Sequence, residues 1–138
     1  MIAILFLILN VMTQIPYYPD YLLCSKTNQV FSNKSQRFLK PGKTKRGDLL
    51  FQLYSPILKT FRTEYLHRII YLCANPSTPW ETFLANQVDH IDGDCTNNNV
   101  TNLRLITQQE NLAHFWKEFF PKFGRKRWNE KIANCEWT

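Results

Sequence analysis

The chain of 138 residues is 44% hydrophobic and 20% charged, with a mean hydropathy of -0.34. This is an ordinary globular composition and excludes a disordered, collagenous or disulfide-framework protein. Seventeen Lys and Arg against eleven Asp and Glu give a formal charge of +6, which points to a polyanionic partner and away from an acidic substrate. Cys24, Cys73, Cys95 and Cys135 stand far apart with no Cys-x-x-Cys pair, so free thiols are expected instead of a zinc knuckle or a redox motif.

Taken in chain order, the first segment is the apolar run Met1 to Leu9. It is shorter than the roughly 20 residues that span a bilayer. No Lys or Arg precedes Lys26 and no small-x-small site follows the run, so secretion is not expected. Residues 1–12 are read as an apolar extension, with Met12 an alternative start. Lys26, Lys34, Arg37, Lys40, Lys43, Lys45 and Arg46 then follow without an acidic residue among them, interrupted by turn formers such as Pro41-Gly42. The pattern predicts antiparallel strands and loops. Leu58 to Tyr65 reads as the return strand of a hairpin turning at Ser55-Pro56, and Leu66 to Ala74 as a short buried helix. Val88 to Ile91 is a brief strand, followed by a loop dense in turn formers and a second strand, Leu103 to Ile106. Thr107-Gln108-Gln109-Glu110 is a capping box opening a helix to about Phe119. A second basic cluster, Lys122, Arg125, Lys126, Arg127 and Lys131, lies near the C-terminus. Either cluster alone is as well explained by a solvated face.

Within the strand–loop–strand–helix unit sit Asp89-His90, Asn102 and Asn111, with 12 and 9 residues separating His90, Asn102 and Asn111. If the strands pair, these residues meet near the first turn of the helix. Asp89 and Asn111 each offer a hard oxygen, the ligand type that suits Mg2+ or Mn2+. His90 is then left as a base, with an ordinary pKa of about 6.5.

The residues Val88-Asp89-His90-Ile91-Asp92-Gly93-Asp94, Asn97-Asn98, Asn102-Leu103-Arg104, Thr107 and Glu110-Asn111 resemble the HNH nuclease motif in its His-Asn-Asn variant, as found in phage and intron-encoded homing endonucleases. Upstream, Ile15-Pro16, Tyr18, Tyr21, Ser25, Val30-Phe31-Ser32, Lys40-Pro41-Gly42 and His67-Arg68-Ile69-Ile70 follow the order of their N-terminal DNA-binding module and linking helix. The resemblance implies an α+β protein: a small antiparallel β lobe, then a ββα-metal finger and a C-terminal helix. It divides the chain into a β-rich DNA-binding module over 13–62, a nuclease domain with a leading helix over 63–120, and a basic tail over 121–138. It further implies hydrolysis of DNA phosphodiesters with one Mg2+ or Mn2+ per active site. His90 would be the general base and Asn102 the residue that braces the loop and orients it. Asp89 and Asn111 would be the metal ligands. Lys34, Arg37, Lys40, Lys43, Lys45, Arg46 and Arg104 are the candidate DNA contacts, and His67 and His114 supporting residues.

Plainer readings accompany these. The Asp92-Asp94-Thr96 stretch mimics a calcium loop, yet has Asn97 where Gly and Leu103 where Glu are needed. Turn formation explains Asp92 and Asp94, and His67 reads as a structural histidine. Phe115, Trp116, Phe119, Phe120, Phe123 and Trp128 read as packing behind the finger helix. The 19 residues after Phe119 are too few for the helix-turn-helix module that many such enzymes carry. The expected partner is double-stranded DNA, with no membrane and no obligate protein partner, inside a cell. The alternative is a DNA-binding protein that keeps the finger without its activity. A secreted nuclease toxin rests only on the apolar N-terminus.

Overall fold

The computed structural model describes residues 11–119 and Pro121. Its described residues form two compact units, one of 11–42 with 49–76 and one of 43–48 with 77–119 and Pro121.

The first unit opens with four antiparallel strands in sequential order: β1 (Met12–Ile15), β2 (Tyr18–Cys24), β3 (Val30–Ser32) and β4 (Arg37–Phe38). Met12, read from sequence as part of an extension, belongs to this sheet. Met12 pairs with Cys24, and the Val11 carbonyl accepts from the Ser25 amide at 2.8 Å. Residues 1–10 lie outside the described residues. A second sheet has the order β5 (Gly42–Lys43), β6 (Leu49–Ser55) and β7 (Thr60–Tyr65), with the predicted hairpin closing between β6 and β7. Alternation along β6 turns Phe51, Leu53 and Ser55 inward and Gln52 and Tyr54 outward, as the two-residue period of a strand requires.

Helix α1 (Leu66–Ala74) follows directly and packs on strands of both sheets, burying Leu66, Ile69, Ile70 and Leu72 with Ile15, Tyr18, Leu23, Val30 and Leu53. Charge is buried in this core too. Glu64 is 1% exposed and Arg68 4%, with Glu64 Oε1 lying 3.8 Å from Arg68 Nε and 3.3 Å from Arg62 Nε. Burial pushes the Glu64 carboxyl up and the Arg68 guanidinium down, each opposed by the other's charge.

In the second unit, α2 (Trp80–Ala85) precedes an antiparallel pair, β8 (Gln87–His90) and β9 (Leu103–Ile106), and α3 (Gln108–His114). Trp80, Phe83, Val88, Leu103, Ile106 and Phe115 are its buried apolar residues, with the Trp80 and Phe83 rings stacked at 6.0 Å. The helix expected to run to Phe119 is α-helical only to His114 and widens into a π-type turn over Phe115–Phe119. Phe115 is buried as expected, whereas Trp116 is half exposed and is not core. Phe120, Phe123, Trp128 and the C-terminal basic cluster lie outside the described residues, as does the side chain of Phe119. The mixed fold with antiparallel sheets agrees with the expected class. Helix α1 packs with the β-rich unit, and Lys43–Asp48 groups with the finger.

Candidate functional site

The register of β8 against β9 sets Asp89 opposite Arg104 and His90 opposite Leu103. Alternation then turns Val88 and His90 inward and leaves Gln87 and Asp89 half-buried on the other face. The capping box predicted at Thr107 is formed: its Oγ1 accepts from the Glu110 amide at 3.1 Å, and Glu110 Oε2 accepts from the Thr107 amide at 3.0 Å. That box starts α3 one residue after β9, so Asn111 and His114 fall on one helical face, three residues apart. Asn111 Nδ2 donates to Gln87 Oε1 at 2.6 Å, and His114 Nδ1 lies 3.1 Å from Asp89 Oδ2. Arg104 places Nε at 3.1 Å and Nη2 at 3.0 Å from the same Asp89 oxygen. Asp89, Arg104, Asn111 and His114 are thus gathered with Gln87 into one polar cluster.

His90, 5% exposed, ends β8 on the inward side. Its Nε2 lies 2.8 Å from Asn98 Oδ1. Asn102 bonds across the loop that follows His90. Its Nδ2 donates to Asp92 Oδ1 and to the Asn97 carbonyl, both at 2.9 Å, and its Oδ1 accepts from the Asp92 amide at 3.0 Å. None of these bonds reaches the imidazole. Asn98, four residues before Asn102, does meet the His90 ring, and sequence reasoning gave it no role. Asp92 and Asp94 form turns: Asp92 Oδ1 takes the Asp94 amide at 2.8 Å and Asp94 Oδ1 takes the Thr96 amide at 3.0 Å. The Asn97 amide group, ahead of the Asp94 N–H and Asn102, holds the Asp92 carboxyl below the usual carboxylate range. Thr96 does the same for Asp94.

The donor set suits a hard divalent cation. Arg104 and His114 both meet Asp89 at Oδ2, and Asn111 commits its NH2 to Gln87. Among the described residues, Asp89 Oδ1 and Asn111 Oδ1 accept no hydrogen bond. Two protein oxygens are what a Mg2+-type site uses when water and a phosphate complete its shell. Among the described residues no three His, Cys, Asp or Glu side chains gather as a metal cluster, so a closed zinc cage is not formed there.

The basic residues divide between the units. Lys34, Arg37 and Lys40 are exposed on the first. Lys43, at the end of β5, and Lys45 and Arg46, on the loop after it, group with the finger, where Cys95 Sγ donates to the Arg46 carbonyl at 3.4 Å and Gly47, at φ 106, takes a conformation that favours glycine. Lys43 and Lys45 are exposed, while Arg46 is half-buried and paired to Asp48 at 2.8 Å. His67 is buried in the first unit beside the Tyr65 ring, consistent with the structural reading.

Comparison with known proteins bears on this geometry. Residues 64–113 match the family described as HNH endonuclease, a span that holds Asp89, His90, Asn102 and Asn111. An uncharacterized HNH endonuclease of Acanthamoeba polyphaga mimivirus is 31% identical over 101 residues, covering 71% of this chain. The chain covers 28% of that relative's length. Among solved structures, one of DNA binding and cleavage by the HNH homing endonuclease I-HmuI is similar, with a TM-score of 0.58 and 28% identity over 88% of this chain and 67% of that one. The three findings together support an HNH nuclease at the level of family.

Proposed function

We propose that the chain is a DNA endonuclease of the homing type that hydrolyses one phosphodiester per active site with a single divalent metal, Mg2+ or Mn2+. The observation that carries this reading is the pair of oxygens Asp89 Oδ1 and Asn111 Oδ1, which accept no hydrogen bond among the described residues, on β8 and α3 of the unit that holds His90. Asp89 and Asn111 would hold the ion. Bound there, a divalent cation offsets the charge that develops on the phosphate and on the leaving 3′ oxygen. His90 takes the proton of the attacking water, a task for which an imidazole is suited near neutral pH. Arg104 and His114 grip Asp89 by Oδ2 and so orient the carboxylate toward the ion. Lys34, Arg37, Lys40, Lys43 and Lys45 contact phosphates, which positions the duplex and makes binding salt-dependent without reading sequence. With one finger among the described residues, a monomer nicks, and a double-strand break needs two copies or two successive events.

The test is conversion of supercoiled plasmid, carrying the gene's own uninterrupted insertion locus, to open-circle or linear form. Cleavage that requires Mg2+ or Mn2+, stops with EDTA and is lost in His90→Ala is expected. Binding of the locus without cleavage under either metal would replace the endonuclease reading with that of a DNA-binding protein.

A further inference from the structure

An imidazole acting as a base must present a lone pair on one ring nitrogen, and the bond made by the other nitrogen decides which. His90 Nε2 lies 2.8 Å from Asn98 Oδ1. The stretch carrying Asn98 is held on both sides. Ahead of it, Asn97 Nδ2 donates to Asp92 Oδ2 at 2.8 Å, and the Asn97 carbonyl accepts from Asn102 at 2.9 Å. Behind it, Asn99 Oδ1 caps the short 3-10 turn Val100–Asn102 by accepting from the Thr101 amide at 3.0 Å. The Asn98 amide itself donates to the Thr96 carbonyl at 3.2 Å. An acceptor oxygen fixed in this way constrains both the plane of the ring and the site of its proton.

We infer that Asn98 is the positioning residue of His90: its Oδ1 accepts from Nε2–H, which holds the imidazole in the tautomer whose lone pair lies on Nδ1. The role in catalysis rests on the endonuclease reading, whereas the tautomer does not. The opposite amide orientation would have Asn98 Nδ2 donate to Nε2 and would occupy the lone pair a base needs, so the assignment is open to direct test.

The experiment uses the full chain labelled with 15N-histidine, in long-range proton–nitrogen correlation spectra recorded above about pH 8, where an ordinary imidazole is neutral. The resonances of His67, His90 and His114 are assigned by single substitution. The Nε2–H tautomer is expected for His90, shifting to a mixture in Asn98→Ala. The single-turnover cleavage rate of that variant should fall about 10- to 100-fold, the usual cost of losing the group that orients a reacting ligand. Its DNA affinity in EDTA should stay within about twofold of the original. Asn98→Asp keeps an acceptor oxygen and should restore both the tautomer and most of the rate. An Nδ1–H tautomer in the unmodified chain, or an Asn98→Ala variant with unchanged tautomer and rate, would overturn the inference. An unmodified chain with the expected tautomer that cuts under no divalent metal would remove the endonuclease reading, and the catalytic role of Asn98 with it.

Discussion

Replacing Asn102 with Ala removes three hydrogen bonds from one buried side chain. Two have neutral partners, the Asp92 amide and the Asn97 carbonyl, and one goes to the Asp92 carboxylate. Neutral bonds contribute about 0.5–1.5 kcal/mol each and a charged one about 1.5–3 kcal/mol, roughly 2.5–6 kcal/mol together. Asp92 is exposed, so water takes over its carboxylate and the lower end applies, about 2.5–3 kcal/mol. The assay is urea unfolding followed by tryptophan emission, because Trp80, Trp116, Trp128 and Trp137 all lie after residue 76 and report on that part of the chain. With an m-value of about 1–3 kcal/mol per molar, the midpoint should drop by about 1–3 M. A pH dependence adds a second check. The Asp92 carboxyl is held down in the fold, chiefly by Asn97 and in part by Asn102. The stability it contributes is therefore present above its unfolded pKa of about 3.9 and is lost as pH falls through the lower folded value. The gap between Asn102→Ala and the original chain should narrow below about pH 4. A midpoint shift under about 0.3 M, or a gap that widens on acidification, would refute Asn102 as the brace of this loop.

Thr107→Ala removes the cap of a seven-residue helix and should cost about 1 kcal/mol, seen as faster amide exchange at Asn111 and His114; unchanged exchange would show that packing alone holds the helix. Asp89→Ala should abolish Mg2+ binding in calorimetry together with cleavage, and retained binding would move the metal elsewhere. Arg68→Met leaves Glu64 buried beside Arg62 and the Tyr18 hydroxyl without the Arg68 charge, and should destabilise the first unit by about 3 kcal/mol at pH 7, followed by far-UV circular dichroism. The Glu64 carboxyl is already raised by burial, so that variant should regain stability as pH falls toward 4.5, where the folded state takes up the proton first. Stability independent of pH in this range would count against the buried pair.

Local signals carried much of this fold. The Leu66–Ala74 helix, the Leu103–Ile106 strand and the hairpin near Ser55-Pro56 were legible because each is a run with its own period and its own stop. The capping box was legible because Thr107 and Glu110 are joined by adjacent backbone. Helix α2 escaped notice because six residues from Trp80 to Ala85 are too few to display a helical period, although Pro79 before Trp80 and Glu81 is a start signal. At the site, spacing brought out Asp89, His90, Asn102 and Asn111. The bonds of Arg104 and His114 to Asp89 depend on strand register and helix direction, which no window of sequence displays. Asn98 was lost among three consecutive asparagines, each chemically able to turn the chain. Only the fold distinguishes the one that meets the imidazole from the one that caps the next turn.

The loop Lys43–Asp48 has a consequence for how this protein can be cut apart or inherited. The chain passes between its two units at three points, after Gly42, after Asp48 and after Pro76, so the border between them is not a single position in the sequence. A fragment beginning at Ser77 would carry the finger residues without the six from Lys43 to Asp48, among them Arg46, whose carbonyl accepts from the Cys95 thiol in the intact chain. A finger moved between genes as a cassette from this architecture needs a second splice, six residues long, taken from the module upstream.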